Sequence, residues 1–101
     1  MAKRVIWSSN ADRIFTKILE FYIDRNGSKI YSRRLNKEIH SLVTILSKQP
    51  FLGIKTDDEN VRVLARGAFK IFHQIDKEKL IIHLVWDSRQ NPESLNINLR
   101  P

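Results

Sequence analysis

The sequence contains no cysteine, only three glycines and three prolines, and no long apolar run. Without cysteine, disulfide bonds and thiolate chemistry are excluded, which is consistent with a reducing compartment. The longest mainly apolar segment, Leu80 to Trp86, includes His83 and is far shorter than the roughly 20 residues that cross a bilayer. We therefore expect a cytoplasmic protein that does not span a membrane.

The sequence also lacks the common signatures of cofactor-dependent and nucleophilic enzymes. The three glycines are isolated from one another, at Gly27, Gly53 and Gly67. This spacing excludes a phosphate-cradling loop and a glycine-flanked nucleophilic serine. The three histidines do not stand at metal-ligand spacing, and a closed zinc site normally needs cysteine. We expect neither a cofactor nor a metal site.

Positive charge is abundant, with 18 Lys and Arg against 11 Asp and Glu, a net charge of +7 and an isoelectric point near 10.1. Residues 1–50 hold ten basic and four acidic side chains, whereas residues 51–101 hold eight and seven. Such a field attracts nucleic acid or an acidic protein, although a basic surface can also serve solubility alone.

Two amphipathic helices are predicted in the first half of the chain. Ser9 and Asp12 form a capping pair, and apolar residues then recur at helical spacing, which predicts a helix over about residues 10–25. An Asn-Gly pair ends this helix. Ser28 can cap a second amphipathic helix, which continues to about Lys48. The two helices are expected to form a hairpin.

The remaining pattern predicts a small sheet. Segments rich in β-branched and aromatic residues predict four strands, at residues 5–7, 61–66, 68–75 and 80–86. Residues 50–60 lack any period and are interpreted as a loop, and residues 92–101 as an added edge strand or a disordered tail. The order β-α-α-β-β-β predicts one α+β domain over residues 1–101, with the helical hairpin on one face of a mainly antiparallel four-stranded sheet.

Four cations on the predicted sheet are the candidate anion-binding residues: Arg62, Arg66, Lys70 and Arg89. Alternation along a strand places Arg62 and Arg66 on one face, with Lys70 on the next strand and Arg89 just past the last. If the four converge, they form a phosphate-binding surface, because a guanidinium donates to two oxygens at once. The alternative is a solvated face, or ion pairs with carboxylates such as Asp87.

His73 and His83 are weaker candidates, because a ribonuclease needs a group that titrates near neutrality. Both lie between apolar neighbours, which favours histidines of the core or the sheet edge. Trp7 and Trp86 end apolar strands and could stack on bases, but a structural role is preferred.

Five segments in order resemble the RelE/ParE superfamily of bacterial toxins. They are Val5-Ile6-Trp7-Ser8 with Ala11, the hairpin end from Leu46 through Pro50 to Gly53, Val61 to Leu64, Phe69 to Ile75, and Trp86 to Pro92. The resemblance covers about residues 4–95. It implies that the protein is the toxin of a type II toxin–antitoxin module of the plasmid-stabilisation kind. It also implies that an acidic, partly disordered antitoxin neutralises this toxin by forming a hetero-oligomer with it.

The superfamily includes two activities. RelE-like members cleave mRNA on the ribosome with a basic sheet surface, usually helped by a Tyr or His near the C-terminus. By motif, Lys70 and Arg89 fall where those toxins carry arginines, but neither Tyr nor His follows Arg89. The ending Arg-Gln-Asn-Pro is more similar to ParE-type members, which poison DNA gyrase. The resemblance thus favours a gyrase-binding toxin, with an mRNA endoribonuclease and a non-toxic binding module as alternatives.

Overall fold

The computed structural model describes residues 2–89, which fold as two helices packed on a mixed sheet. The elements are β1 (Arg4–Trp7), α1 (Ser9–Asn26), α2 (Ile30–Lys48), a 3-10 turn (Pro50–Leu52), β2 (Ile54–Lys55), β3 (Arg62–Arg66), β4 (Phe69–Asp76) and β5 (Lys79–Asp87). The α+β class and the helical hairpin are confirmed. The expectation for residues 92–101 lies outside the described residues.

The sheet has five strands in the order β1-β5-β4-β3-β2, with β1 parallel to β5 and every other pair antiparallel. The prediction of four strands was wrong by one, because Ile54 and Lys55 pair with Val63 and Arg62. Two residues are too few to show the alternation by which a strand is recognised in sequence. The segment 50–60, interpreted as a loop, therefore contains both a helical turn and an edge strand.

Both helix starts differ from the predicted caps by one residue. The N-cap of α1 is Ser8, whose hydroxyl accepts a hydrogen bond from the Ala11 N–H at 3.0 Å. Gly27, with φ of 65°, ends the helix in the left-handed conformation that glycine tolerates. Lys29 precedes α2 without a side-chain cap, although the Ser28 hydroxyl accepts from the Ile30 N–H at 3.2 Å.

Alternation along β4 and β5 separates two apolar clusters. The larger contains the buried stripes of α1 and α2 together with sheet residues such as Ile71 and Val85. The smaller, built on Phe72, Leu84 and Trp86, lies on the opposite face of the strands. Neither helix within residues 2–89 is both long and apolar enough to cross a bilayer.

Candidate functional site

The sheet register divides the predicted cations between two faces. Arg66 lies opposite Phe69, which belongs to the cluster under the helices, and Arg62 projects from the same side of β3. Lys70 lies opposite Trp86, which belongs to the cluster on the other face. Directly paired residues point to the same side of a sheet. Lys70 therefore projects away from the face that carries the two β3 arginines, and the four cations do not converge on one face.

The guanidinium of Arg62 makes its contacts within the protein, at the edge of the sheet. Its Nε donates a hydrogen bond to the Gly53 carbonyl at 3.0 Å, and its guanidinium lies 5.2 Å from the centre of the Phe51 ring. Four residues of strand, about 13 Å, separate it from Arg66. Arg62 thus fastens residues 50–55 to the sheet.

The two sheet histidines lie in sites that disfavour the charged imidazolium. His73 is fully buried, its Nδ1 is 2.9 Å from the Ile71 carbonyl oxygen, and burial lowers its pKa. His83 is half-buried, with Nε2 2.8 Å from Oε1 of Gln74, and burial lowers its pKa as well. His73 has no access to a substrate in solvent.

The two tryptophans have packing contacts within the protein. Trp7 stacks on Phe15 with ring centres 5.6 Å apart and also contacts His40. Trp86 is buried in the smaller apolar cluster. Trp86 is therefore a core residue, and Trp7 is partly buried against the larger apolar cluster.

Arg89 lies in a site that the end of β5 builds with both helices. Its Nε donates to Oδ1 of Asp87 at 3.3 Å, and its Nη2 donates to the Tyr31 hydroxyl at 2.7 Å. The backbone N–H of Arg89 also donates to Oδ1 of Asp87, at 3.0 Å. Arg89 thus pairs with Asp87, whereas Arg66 and Lys70 are exposed.

Three aromatic rings lie close to the Arg89 guanidinium. Its central carbon lies 5.1 Å from the ring centre of Tyr22, 5.9 Å from that of Tyr31 and 5.0 Å from that of Phe69. At these distances the cation is attracted to the negative faces of the rings. The hydrogen bond to Tyr31, reinforced by Asp87, raises the pKa of Arg89, so its positive charge is permanent.

Asp87 is the buried anchor of the site, with a side chain that is 1% exposed. Its Oδ2 accepts a hydrogen bond from the Tyr22 hydroxyl, while its Oδ1 faces Arg89. Burial and the Asp87 carboxylate raise the pKa of Tyr22 to about 12. The tyrosine therefore remains a neutral donor, and the carboxylate is stabilised from both sides.

An open pocket of about 400 Å³ lies beside Arg89 at the tip of the helical hairpin. It is lined by Phe21, Tyr22, Arg25, Asn26, Tyr31 and Arg89. Sequence reasoning identified only Arg89 among these residues. Tyr22 and Tyr31 lie at positions that continue the apolar spacing of the two helices, but a buried tyrosine usually needs a partner for its hydroxyl, and that requirement could have indicated the site.

The model of the family described as the ParE toxin of the type II toxin–antitoxin system, parDE, matches residues 5–92. A structure titled as a chromosomal ParDE system from P. aeruginosa matches with a TM-score of 0.72 and 17% identity, over 85% of this chain and 96% of that one. A toxin–antitoxin complex, RelBE2 from Mycobacterium tuberculosis, matches with a TM-score of 0.62 and 16% identity, over 86% and 99%. No curated protein gives a significant match. Because the family model spans most of the sequence, the chain belongs to the ParE toxin family of type II toxin–antitoxin systems.

Proposed function

We propose that this protein inhibits growth by binding DNA gyrase without breaking RNA, and that an acidic antitoxin neutralises it. Such a target places the toxin in the cytoplasm. The family match supports a toxin, whereas the choice between binding and RNA cleavage rests on the described cations. The observation that carries this choice is the division of the candidate cations between two faces of the sheet, together with the pairing of Arg89 with Asp87.

Cleavage of RNA needs positive groups aimed at the charge that develops on one phosphate. The charge of Arg89 is partly offset by Asp87, and two of its N–H groups are already directed to partners within the protein. Arg62 is similarly engaged with Gly53. Lys70 projects from the opposite face to the β3 arginines. These groups are therefore poorly placed to act together on one phosphate.

A ribonuclease also needs groups that transfer protons at the 2′-hydroxyl and at the leaving oxygen. Such a group must come within hydrogen-bond distance, roughly 3 Å, of the substrate. His73 is fully buried and Nε2 of His83 lies against Gln74. Among the described residues these histidines offer no accessible proton donor beside Arg66 or Arg89. The Tyr31 hydroxyl does lie beside Arg89, but none of the other three candidate cations is among the described residues that line the pocket there. These observations favour a toxin that acts by binding.

An antitoxin partner fits both the charge and the open edge of the sheet. The net charge of +7 favours an acidic chain. Within residues 2–89, β2 pairs only with Arg62 and Val63, so the last residues of β3 have no strand on that side. An extended antitoxin segment could add there by main-chain hydrogen bonds. The expected assembly is a toxin–antitoxin hetero-oligomer.

Two assays on one preparation test this proposal. The purified toxin is added to gyrase with relaxed plasmid, and separately to translating ribosomes whose message is then mapped by primer extension. Inhibition of supercoiling with intact message would support binding, and prior addition of the antitoxin should restore supercoiling. Codon-linked cuts with normal supercoiling would indicate the ribonuclease instead. Normal growth on induction without antitoxin would identify a non-toxic binding module and reject the proposal.

A further inference from the structure

The open pocket at the hairpin tip is lined by hydrogen-bond donors that the protein leaves partly unused. Arg25 makes no ion pair or hydrogen bond with its side chain within residues 2–89. Arg89 directs one edge of its guanidinium to Asp87 and Tyr31, and its side chain is still 47% exposed. Because the Tyr31 oxygen accepts from Arg89, its own O–H remains available to donate. Asn26 adds an amide that can also donate.

The charge of this pocket is positive and only half compensated. Two guanidinium groups, from Arg25 and Arg89, line it, and Asp87 is the carboxylate that faces one of them. The Asp87 side chain is 1% exposed and hydrogen-bonds to Tyr22 and Arg89, so its charge offsets one of the two guanidinium groups. Counted over the described residues, one positive charge remains, which matches a single monoanionic group.

The pocket is also held in shape before any ligand arrives. The rings of Tyr22 and Tyr31 meet edge to face with centres 4.9 Å apart, and Phe21 packs on Tyr22 at 5.0 Å. The hydroxyl of each tyrosine is fixed by Asp87 or Arg89. Groups that are already ordered lose little entropy on binding, which increases affinity for a small ligand.

The surroundings favour a protein ligand over nucleic acid. The Phe21 side chain lines the pocket and is 40% exposed, and Ile30, next to Tyr31 in the chain, is 69% exposed. An exposed isoleucine offers no stacking face to a base, but it does match an apolar side chain. A planar carboxylate also fits the fork of a guanidinium.

We propose that this pocket binds a glutamate or aspartate side chain of the antitoxin, with an adjacent apolar residue packed on Phe21. This inference rests on the proposed antitoxin partnership and assigns it a defined anchoring point. Arg25 and the Tyr31 hydroxyl hold the carboxylate together with the free edge of Arg89. The anchor lies at the hairpin tip.

Titration of the full chain with two matched dipeptides tests the anchor. The probes are N-acetyl-Glu-Leu-amide and N-acetyl-Gln-Leu-amide, and the readout is the NMR signal of the Nε–H groups of Arg25 and Arg89. We expect saturable shifts with the Glu peptide and about tenfold weaker binding of the Gln peptide, because only the former offers charge-assisted hydrogen bonds. Equal binding of the two peptides, or no shift with either, would overturn the proposal.

Two charge-removing variants separate the pocket from the general basic field. Arg25→Gln should weaken the Glu peptide about tenfold, whereas Arg33→Gln, an exposed cation of the same hairpin outside the pocket, should leave binding unchanged. If Arg25→Gln proves unstable, Arg25→Lys is used instead. Because lysine keeps the charge but not the guanidinium fork, this variant should bind the Glu peptide with an affinity between those of the wild type and Arg25→Gln. An equal loss of affinity for the Glu peptide in the Arg25→Gln and Arg33→Gln variants would show that only net charge matters, and it would overturn the proposed anchor.

A titration with a short RNA tests whether the pocket binds nucleic acid instead. If uridine tetranucleotide shifts the same arginine signals at lower concentration than the Glu peptide, the pocket is a nucleic-acid site and the proposal is wrong. These titrations do not involve gyrase, so their failure would leave the supercoiling result intact. Conversely, a toxin that binds the Glu peptide but leaves supercoiling unchanged would reject the proposed target and retain the anchor.

Discussion

The hydroxyl of Tyr22 donates a hydrogen bond to the buried carboxylate of Asp87, although 65 residues separate the two in the sequence. This bond joins the C-terminal part of α1 to the end of β5. Because the other oxygen of Asp87 faces Arg89, the same carboxylate fixes both the helix and the arginine. The pocket at the hairpin tip therefore depends on one buried charge.

Replacement of Asp87 by Asn should destabilise the fold. The amide keeps the shape of the side chain but loses the charge that stabilises the hydrogen bonds from Tyr22 and Arg89. We expect a decrease of about 1–3 kcal/mol in the free energy of unfolding, measured by urea denaturation. Asp57→Asn, in an exposed loop, is the control and should change stability by less than about 0.5 kcal/mol. Equal stability of both variants would show that the buried carboxylate contributes little.

The raised pKa of Tyr22 should appear at alkaline pH. An unfolded tyrosine ionises near 10 and the folded Tyr22 near 12, so the folded state keeps its proton over this range. The stabilisation is complete below pH 10 and is lost as pH rises through 12. Absorbance titration at 295 nm should show a transition near pH 12 that Tyr22→Phe removes. Persistence of that transition in the variant would contradict the assignment.

Elements with a clear period were predictable from sequence, because periodicity reports which face is buried. The stripe of α2 contains Leu35, Ile39 and Leu46, all buried in the structure. The strand Ile54–Lys55 was not predictable, since its pairing with β3 is decided by the neighbouring strand rather than by its own two residues.

The candidate site was less predictable, because register decides which cations meet. Lys70 pairs with Ala65, which places it on the opposite face from Arg66. The extra residue His83 at the irregularity between β4 and β5 also shifts the register there. The Arg89 site joins α1, α2 and β5, and no local pattern brings Tyr22 to Asp87.

Gly53 should not tolerate a side chain. A Cβ at this position would lie 2.6 Å from Cε1 of His73 and 3.0 Å from the Val63 carbonyl oxygen. Because His73 is fully buried, its ring cannot move aside without disturbing the core. Gly53→Ala should lower the free energy of unfolding by about 1–3 kcal/mol. An unchanged urea midpoint would mean that residues 50–55 shift away from the sheet at no cost.

His73 should remain neutral at pH values where an ordinary histidine is charged. Burial lowers its pKa, and a protonated ring would also lie beside Arg62, its cross-strand partner. The unfolded chain takes up this proton near pH 6.5, so the stabilisation is complete above 6.5 and decreases as pH falls below it. Two-dimensional NMR of the imidazole Cε1–H groups follows the titration directly. Protonation of folded His73 at or above pH 6.5 would contradict the buried placement.

Supercoiling by purified gyrase, with and without this protein, is the most direct test of binding as the mode of toxicity. The reaction contains relaxed plasmid, gyrase and ATP, and the product is resolved on an agarose gel. We expect supercoiling to be inhibited as the toxin concentration rises, and to recover when antitoxin is added first. Unchanged supercoiling, together with codon-linked cleavage of message on ribosomes by the same preparation, would contradict gyrase binding as the mode of toxicity.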